Sequence, residues 1–436
     1  MEDFMFQTRP NIPPWSRFGY VAANPKPFPQ STLTIAYGNW QADELYKKLT
    51  AQSGDLVLTT KCLRQLREAL KIGEEVVEAH KAGILGLFNR LLRSDDLEIR
   101  TLTLECLRWV TNDAFGRDKI LAEECPELLE VLTNLLQKET SLRLKQALSL
   151  TLHNLSKTPP GAAQLTACKY VDTLFAYTCG DSALKPGQGA ASSCPSPELV
   201  QQNRVDCLLI ATLAACVKRC SAGQRETLGH PGESVMGLLN PLIALRNENG
   251  HEIEGLIEDK TLAVLDLLFA MTILDINKDR LLAADCIASL LQILTQQRVD
   301  EAPPSDESVP SRDCPLWSWQ VRADSWRLLG SLCLRRQGKY QVRDMLVTSF
   351  GKVVDEEAGE KGSGTGLVLL KQALITEDSH LLLLNVLHTL SLVAEDPLAR
   401  RMLQDCVSSV RALEDHVNPS VQQLAEKTRR QITWTA

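Results

Sequence analysis

LEIRTLTLECLRWVT, residues 97–111, followed by a turn at Gly116, Arg117 and Asp118 and then by ILAEECPELLEVLTNLL, residues 120–136, decides how this chain folds. Apolar residues recur every three or four positions in both stretches, the spacing of helices, and the turn brings the second helix back onto the first. The next stretch repeats the order: LRLKQALSLTLHNLS, residues 142–156, a turn at Pro159, Pro160 and Gly161, then AAQLTACKYVDTLFAYTC, residues 162–179. Leu142, Leu144, Ala147, Leu148, Leu150, Leu152 and Leu155 wrap most of one helix, so that helix has to be covered on two sides. The turn glycines set a period, with 43 residues from Gly73 to Gly116 and 45 from Gly116 to Gly161. Later turns fall at Gly223, Asn277, Gly338 and Pro397, and about seven units fill the chain.

A period of about 40 to 47 residues, two or three helices long, is that of armadillo and HEAT units. The expected fold is therefore all-α, a right-handed superhelical solenoid over residues 41–436, with the long third helix of each unit packed beneath its neighbours. Polar or Pro/Gly-rich segments at about 181–198, 247–258, 300–315 and 355–366 read as insertions at helix junctions, where extra closure entropy grows only logarithmically with length. PSVQQLAEKTRRQITW, residues 419–434, reads as a charged helix that closes the array. Residues 1–40 break the pattern, holding six of the 20 prolines and eight aromatics, Phe4, Phe6, Trp15, Phe18, Tyr20, Phe28, Tyr37 and Trp40. An extended arm this rich in aromatics is expected to dock, on its own first units or on a partner, because each ring left in water costs energy.

Composition excludes several function classes. The 436 residues are 44% hydrophobic and only 5% aromatic, and the net charge of -7 comes from 54 acidic and 47 basic residues mixed along the chain. No concentrated basic face exists to bind phosphate, so nucleic acid is not the expected partner. The longest apolar runs, 205–217 and 381–394, are too short to span a bilayer, and 262–274 carries Asp266. Most of the 13 cysteines, among them Cys62, Cys106, Cys207, Cys216, Cys286 and Cys333, sit in apolar helical settings. With no C-x-x-C pair and no leader before Pro10, they point to a reducing, cytoplasmic compartment without disulfides or zinc.

The seven histidines form no metal-ligand or catalytic spacing; His153 and His388 follow core leucines at matching repeat positions, a helix-surface role. Gly362-Ser363-Gly364-Thr365-Gly366 follows an acidic run and no strand, and so reads as a solvated loop rather than a phosphate cradle. No enzyme activity, cofactor, metal or small-molecule substrate is expected. Armadillo nuclear-import receptors clamp peptides with a ladder of Asn on their third helices. Here only Asn154 fits that column, the other positions being Glu68, Trp109, Ala215, Thr272, Ser331 and Thr389. A ladder of side-chain amides is absent, so a sequence-tolerant peptide clamp is not expected. The partner surface is expected instead on an exposed column of the first units, Glu68, Glu105, Trp109 and Asn154. Locally, Gly116 reads as a helix-ending residue and Asp118 as the cap of the next helix.

GRDKILAEECPELLEVLTNLL followed by LRLKQALSLTLHNLSKTPPGAAQLTACKYVDTLF resembles the radial spoke head 14 homologue family, armadillo-repeat proteins of the flagellar radial spoke. LTIAYGNWQADELYKKL is similar to that family's opening, and the likeness covers about residues 31–175. The resemblance implies a structural subunit of the ciliary or flagellar axoneme, a cytoskeletal location, radial spoke partners and no catalytic residue. The residues themselves leave two readings open: a permanent subunit of a large assembly, and a cytosolic adaptor or regulator that binds a client protein reversibly.

Overall fold

The computed structural model describes residues 41–51, 54–124, 126–168, 171–174, 196–229, 232–248, 253–295, 316–347, 370–371, 373–375 and 379–434. The arm aromatics Phe4, Phe6, Trp15, Phe18 and Tyr20 lie outside the described residues, as do the segments 300–315 and 355–366 and most of 181–198. Every element described is helical, and the chain divides into two compact units, Met1–Ile120 and Leu121–Ala436.

The first unit contains α1 (Gln41–Ala51), α2 (Leu56–Ala69), α3 (Gly73–Lys81), α4 (Ile84–Leu91), α5 (Leu97–Asn112) and α6 (Ala114–Lys119). Helix α2 packs along α5, α1 covers α2 and α3, and α3 meets α6. Asp55 starts α2 by accepting from the backbone N–H of Val57 and Leu58, and Asp96 starts α5 by accepting from that of Ile99. Leu45, Leu63, Leu66, Ile84, Phe88, Leu102, Leu104 and Leu107 fill the interior of this unit. Burial on this scale, at about 1.5 to 3 kcal/mol per large side chain, holds helices too short to be stable alone.

The second unit runs α7 (Pro126–Lys138), α8 (Leu142–Ser156), α9 (Pro159–Ala167), α10 (Pro197–Arg219), α11 (Ala222–Leu228), α12 (Gly232–Glu248), α13 (Glu254–Met271), α14 (Asp275–Ala283) and α15 (Cys286–Thr295). It continues with α16 (Trp319–Leu332), α17 (Arg336–Val347), α18 (His380–Val393), α19 (Pro397–Leu403), α20 (Val407–Ala412) and α21 (Pro419–Thr433). The long third helices stack in sequence, α8 on α10, then α13, α16, α18 and finally α21. This is the covering on two sides that the apolar wrap of residues 142–155 demanded. The closing helix starts where it was expected, capped by Asn418 with Pro419 in its first turn. The insertion read as 247–258 is shorter than expected, since residues 254–258 form the first turns of α13.

The repeat glycines have a different job from the one their sequence suggested. Gly116 and Gly161 do not end helices; each is the third residue of a short first helix, α6 and α9. A Cβ on Gly116 would lie 2.2 Å from the Val110 carbonyl oxygen, and one on Gly161 would lie 2.0 Å from that of Leu155. Gly338 in α17 repeats the contact at 2.3 Å from the Leu332 oxygen. Glycine is there so that the first helix can press its backbone onto the end of the third. Gly73 is the first residue of α3, and its Cβ would meet nothing nearer than Asp113 Oδ2 at 3.5 Å. It therefore belongs to another column, and Glu75 takes the glycine position in that unit. Asp118 is exposed and the cap of α6 is Asp113, whose side chain accepts from the Gly116 N–H at 3.2 Å. Arg117 donates through Nη1 to the carbonyls of Thr111 at 3.0 Å and Asn112 at 2.8 Å, closing the C-terminal end of α5.

Candidate protein-binding faces

In the first unit, α2 and α5 present one polar face. Arg67 on α2 reaches across to Glu105 on α5 at 2.7 Å and back to Glu68 at 2.9 Å, while Lys71 pairs with Glu68. A turn nearer the start of both helices, Arg64 pairs with Glu98 at 3.2 Å. The half-buried indole of Trp109 has Lys71 Nζ 5.8 Å and the Arg108 guanidinium 5.3 Å from its ring centre, within the range of cation–π attraction. The Glu105 carboxylate holds the Arg67 guanidinium above its usual range, and the Lys71 ammonium holds Glu68 below the usual carboxylate range. Glu68, Glu105 and Trp109 lie around this one face, Glu68 exposed and the other two half-buried.

Asn154 does not share their environment. It lies in the second unit, is 5% exposed, and its Oδ1 accepts from Lys157 Nζ at 2.9 Å, so the expectation of an exposed amide is corrected. In the second unit Ala215, Thr272 and Thr389 of the ladder column are buried as well, and Ser331 is half-buried. Thr272 Oγ1 accepts from Ser331 Oγ at 2.8 Å, and Thr389 Oγ1 donates to the Trp326 carbonyl at 3.1 Å. Asn385 Nδ2 on α18 bonds the Ala323 carbonyl at 2.8 Å, and Asn203 Nδ2 on α10 bonds that of Leu256 at 3.0 Å. A buried ion pair, Lys260 with Asp206 at 2.7 Å, ties α13 to α10. These groups lock third helix to third helix, and among the described residues the column presents no row of exposed amides.

Another row of the second unit stays open. Lys218 on α10 pairs with Asp266 on α13 at 2.7 Å, and Arg327 on α16 approaches the same carboxylate at 3.4 Å. The Arg327 guanidinium lies 3.9 Å from the ring centre of Phe269, and Asp324 flanks it at 3.4 Å. Burial raises the Asp324 carboxyl above its usual range. All four charged side chains are a quarter to two-fifths exposed. The charges of this row stand among several on each third helix, Lys218 next to the end of α10, and Asp266 had been read only as an obstacle to a membrane span. Of the two repeat-matched histidines, His388 is exposed and His153 is half-buried, with burial lowering its pKa.

No group of three or more His, Cys, Asp or Glu side chains is placed to hold a metal among the described residues, and no described helix is long and apolar enough to cross a membrane. The nine described cysteines are all free thiols; burial pushes those of Cys207, Cys216, Cys286 and Cys333 up to about 12.

No family model and no curated protein sequence matches the chain. Its architecture is shared with solved structures. A chain from the structure described as "A conserved phosphorylation switch controls the interaction between cadherin and beta-catenin in vitro and in vivo" superposes with a TM-score of 0.59 at 16% identity, covering 90% of this chain and 67% of that one. A designed armadillo repeat protein in complex with the peptide (KR)4 gives a TM-score of 0.48 at 14% identity, over 67% of this chain and 99% of its own. Computationally designed armadillo repeat proteins for modular peptide recognition give 0.47 at 15%, over 66% and 99%. The fold is an all-α armadillo solenoid.

Proposed function

We propose that this chain is a non-enzymatic scaffold that binds other proteins through the open side of its third helices. The observation that carries the proposal is the row Lys218, Asp266, Phe269 and Arg327, in which charges of both signs and an aromatic ring stay accessible on three successive helices. Side chains of this kind, held by one another and only partly desolvated, form the polar part of protein interfaces, and Arg and aromatic residues supply most interface hot spots.

The narrower reading is a structural subunit of the ciliary or flagellar axoneme, partnered by radial spoke proteins. It rests on the resemblance of residues 31–175, and insertions such as 300–315 suit a protein with permanent neighbours on several sides. Detergent extraction of ciliated cells expressing the tagged full chain tests it. An axonemal subunit stays with the detergent-resistant axonemes and leaves only in chaotropic salt. Recovery in the detergent-soluble fraction would remove the axonemal reading in favour of a reversible cytosolic adaptor.

A further inference from the structure

The turn that leads from a third helix into the following first helix is built alike at five places. A backbone N–H donates to the carbonyl three residues back, from Lys71 to Glu68 at 3.4 Å, and at 3.3 Å from Lys157 to Asn154, Ile273 to Ala270, Leu334 to Ser331 and Glu395 to Leu392. Lys71, Lys157 and Glu395 are exposed there, as charged residues should be. Ile273 and Leu334 hold the same position in two successive corners of the second unit. The second residue of the following helix is aliphatic too, at Ile276 in α14 and Leu398 in α19. These four side chains are between 42% and 53% exposed. Cross-bonds hold their corners side by side. Ser331 Oγ donates to Thr272 Oγ1 at 2.8 Å, and Arg335, next to Leu334, pairs with Asp279 at 2.7 Å and approaches Asp275 at 3.5 Å. Lys339 pairs with Glu395, and Arg343 approaches Asp396 at 3.5 Å, which joins α17 to the corner leading to Leu398. This rim is also basic. Residues 273–280, 334–344 and 395–401 carry eight basic and five acidic side chains, in a chain of net charge -7. The excess sits in the middle, where Arg335, Arg336, Lys339 and Arg343 stand against Asp344 alone.

We infer that this rim docks an acidic amphipathic helix of a partner protein. Aliphatic residues seven apart on that helix meet Ile273 and Ile276, then Leu334, then Leu398, while its carboxylates face the cations of α17. Spacing favours a helix. Packed helices stand about 8 to 10 Å apart, which sets the step from one corner to the next. Two turns of α-helix advance about 10.5 Å and return to the same face. In an extended segment three residues cover about 10 Å, but they bring successive contacts to opposite faces. Charge decides against a second copy of this chain, because a two-fold axis through the middle of the rim sets the cations of α17 against themselves. The rim shares no residue with the open third-helix row, so the two surfaces stand or fall separately.

Fluorescence anisotropy tests this with the full chain and a labelled synthetic peptide. The probe is an Ala-rich helix of about 20 residues, long enough to be helical in water, with Leu at every seventh position and Glu beside each. Two comparison peptides carry Lys in place of Glu, or the same residues with the Leu positions shuffled. The acidic peptide binds saturably, about tenfold tighter than either comparison. Leu334→Glu weakens it about tenfold or more, and Leu398→Glu and Arg336→Glu weaken it in the same direction, as expected when an apolar or cationic contact is turned against an acidic partner. Lys157→Glu, at the equivalent turn outside the rim, leaves binding unchanged. All four variants keep the wild-type melt, since the side chains replaced are exposed. No saturable binding, equal binding of the three peptides, or full affinity retained by Leu334→Glu overturns the inference. So does sedimentation in which the wild type self-associates and Leu334→Glu is monomeric, which would put a second copy on the rim.

Discussion

Charge pairs cross between third helices in both units, and the second unit buries one of its own. Between α10 and α13 one crossing pair, Lys260 with Asp206, is buried, both partners about 5% exposed or less, while a second, Lys218 with Asp266, crosses on the open side. Between α2 and α5 the crossing pairs, Arg64 with Glu98 and Arg67 with Glu105, lie on the surface around a half-buried Trp109. A charge pair out of water specifies its partner helix, because losing one member strands the other; a pair in water leaves its side chains available to something else. The difference teaches that a repeat position has no fixed role until its burial is known.

The largest expected effect is at the buried pair. Lys260→Ala should cost about 3 to 5 kcal/mol in urea unfolding because Asp206 is left charged and unpaired, whereas Lys260→Met with Asp206→Leu should come out near neutral or better. A cost near zero for the single change would erase the distinction between the buried pair and the open ones. Next come the glycines: Gly161→Ala or Gly338→Ala drives a methyl into a carbonyl and should cost about 1 to 3 kcal/mol. Gly73→Ala, which has room for its methyl, should be neutral or stabilising by about 0.4 to 1 kcal/mol. Equal losses at Gly73 and Gly161 would restore them to one column. Trp109→Ala should fall below the about 3 kcal/mol at which a truncated core Trp begins, since its ring is only half-buried. The smallest effect is expected at Arg67→Ala, about 0 to 1 kcal/mol and less in high salt.

The architecture was readable from residues 97–156 because a helix apolar on most of its circumference has few ways to be covered, and stacking repeats is one. Boundaries of the closing helix were readable too, from Asn418 and Pro419 at its start. The meaning of the glycines was not. Spacing grouped Gly73 with Gly116 and Gly161, but only the distance of each Cβ position to a neighbouring carbonyl separates the one that starts a helix from the two that let helices touch. Asn154 failed for the same reason: its letter matched a ladder, while its exposure depends on how the neighbouring helices close over it. The open row of Lys218, Asp266 and Arg327 was not marked out in the sequence, where each of these helices carries several charges, and pairing across three helices separated by long segments is a tertiary fact.

The claim that the open third-helix row binds protein is tested most directly by exchanging two of its charges while keeping their pair, Lys218→Asp with Asp266→Lys. Proteins captured with the tagged wild type and with the exchanged variant from the same cells are compared by quantitative mass spectrometry, with a thermal melt of each. The account predicts a melt lowered only slightly, since Arg327 loses a part-exposed partner at Asp266, and a set of partners recovered about tenfold less with the variant, as expected when complementary charges become like charges at an interface. Identical partner sets at equal recovery, with the fold intact, would contradict it.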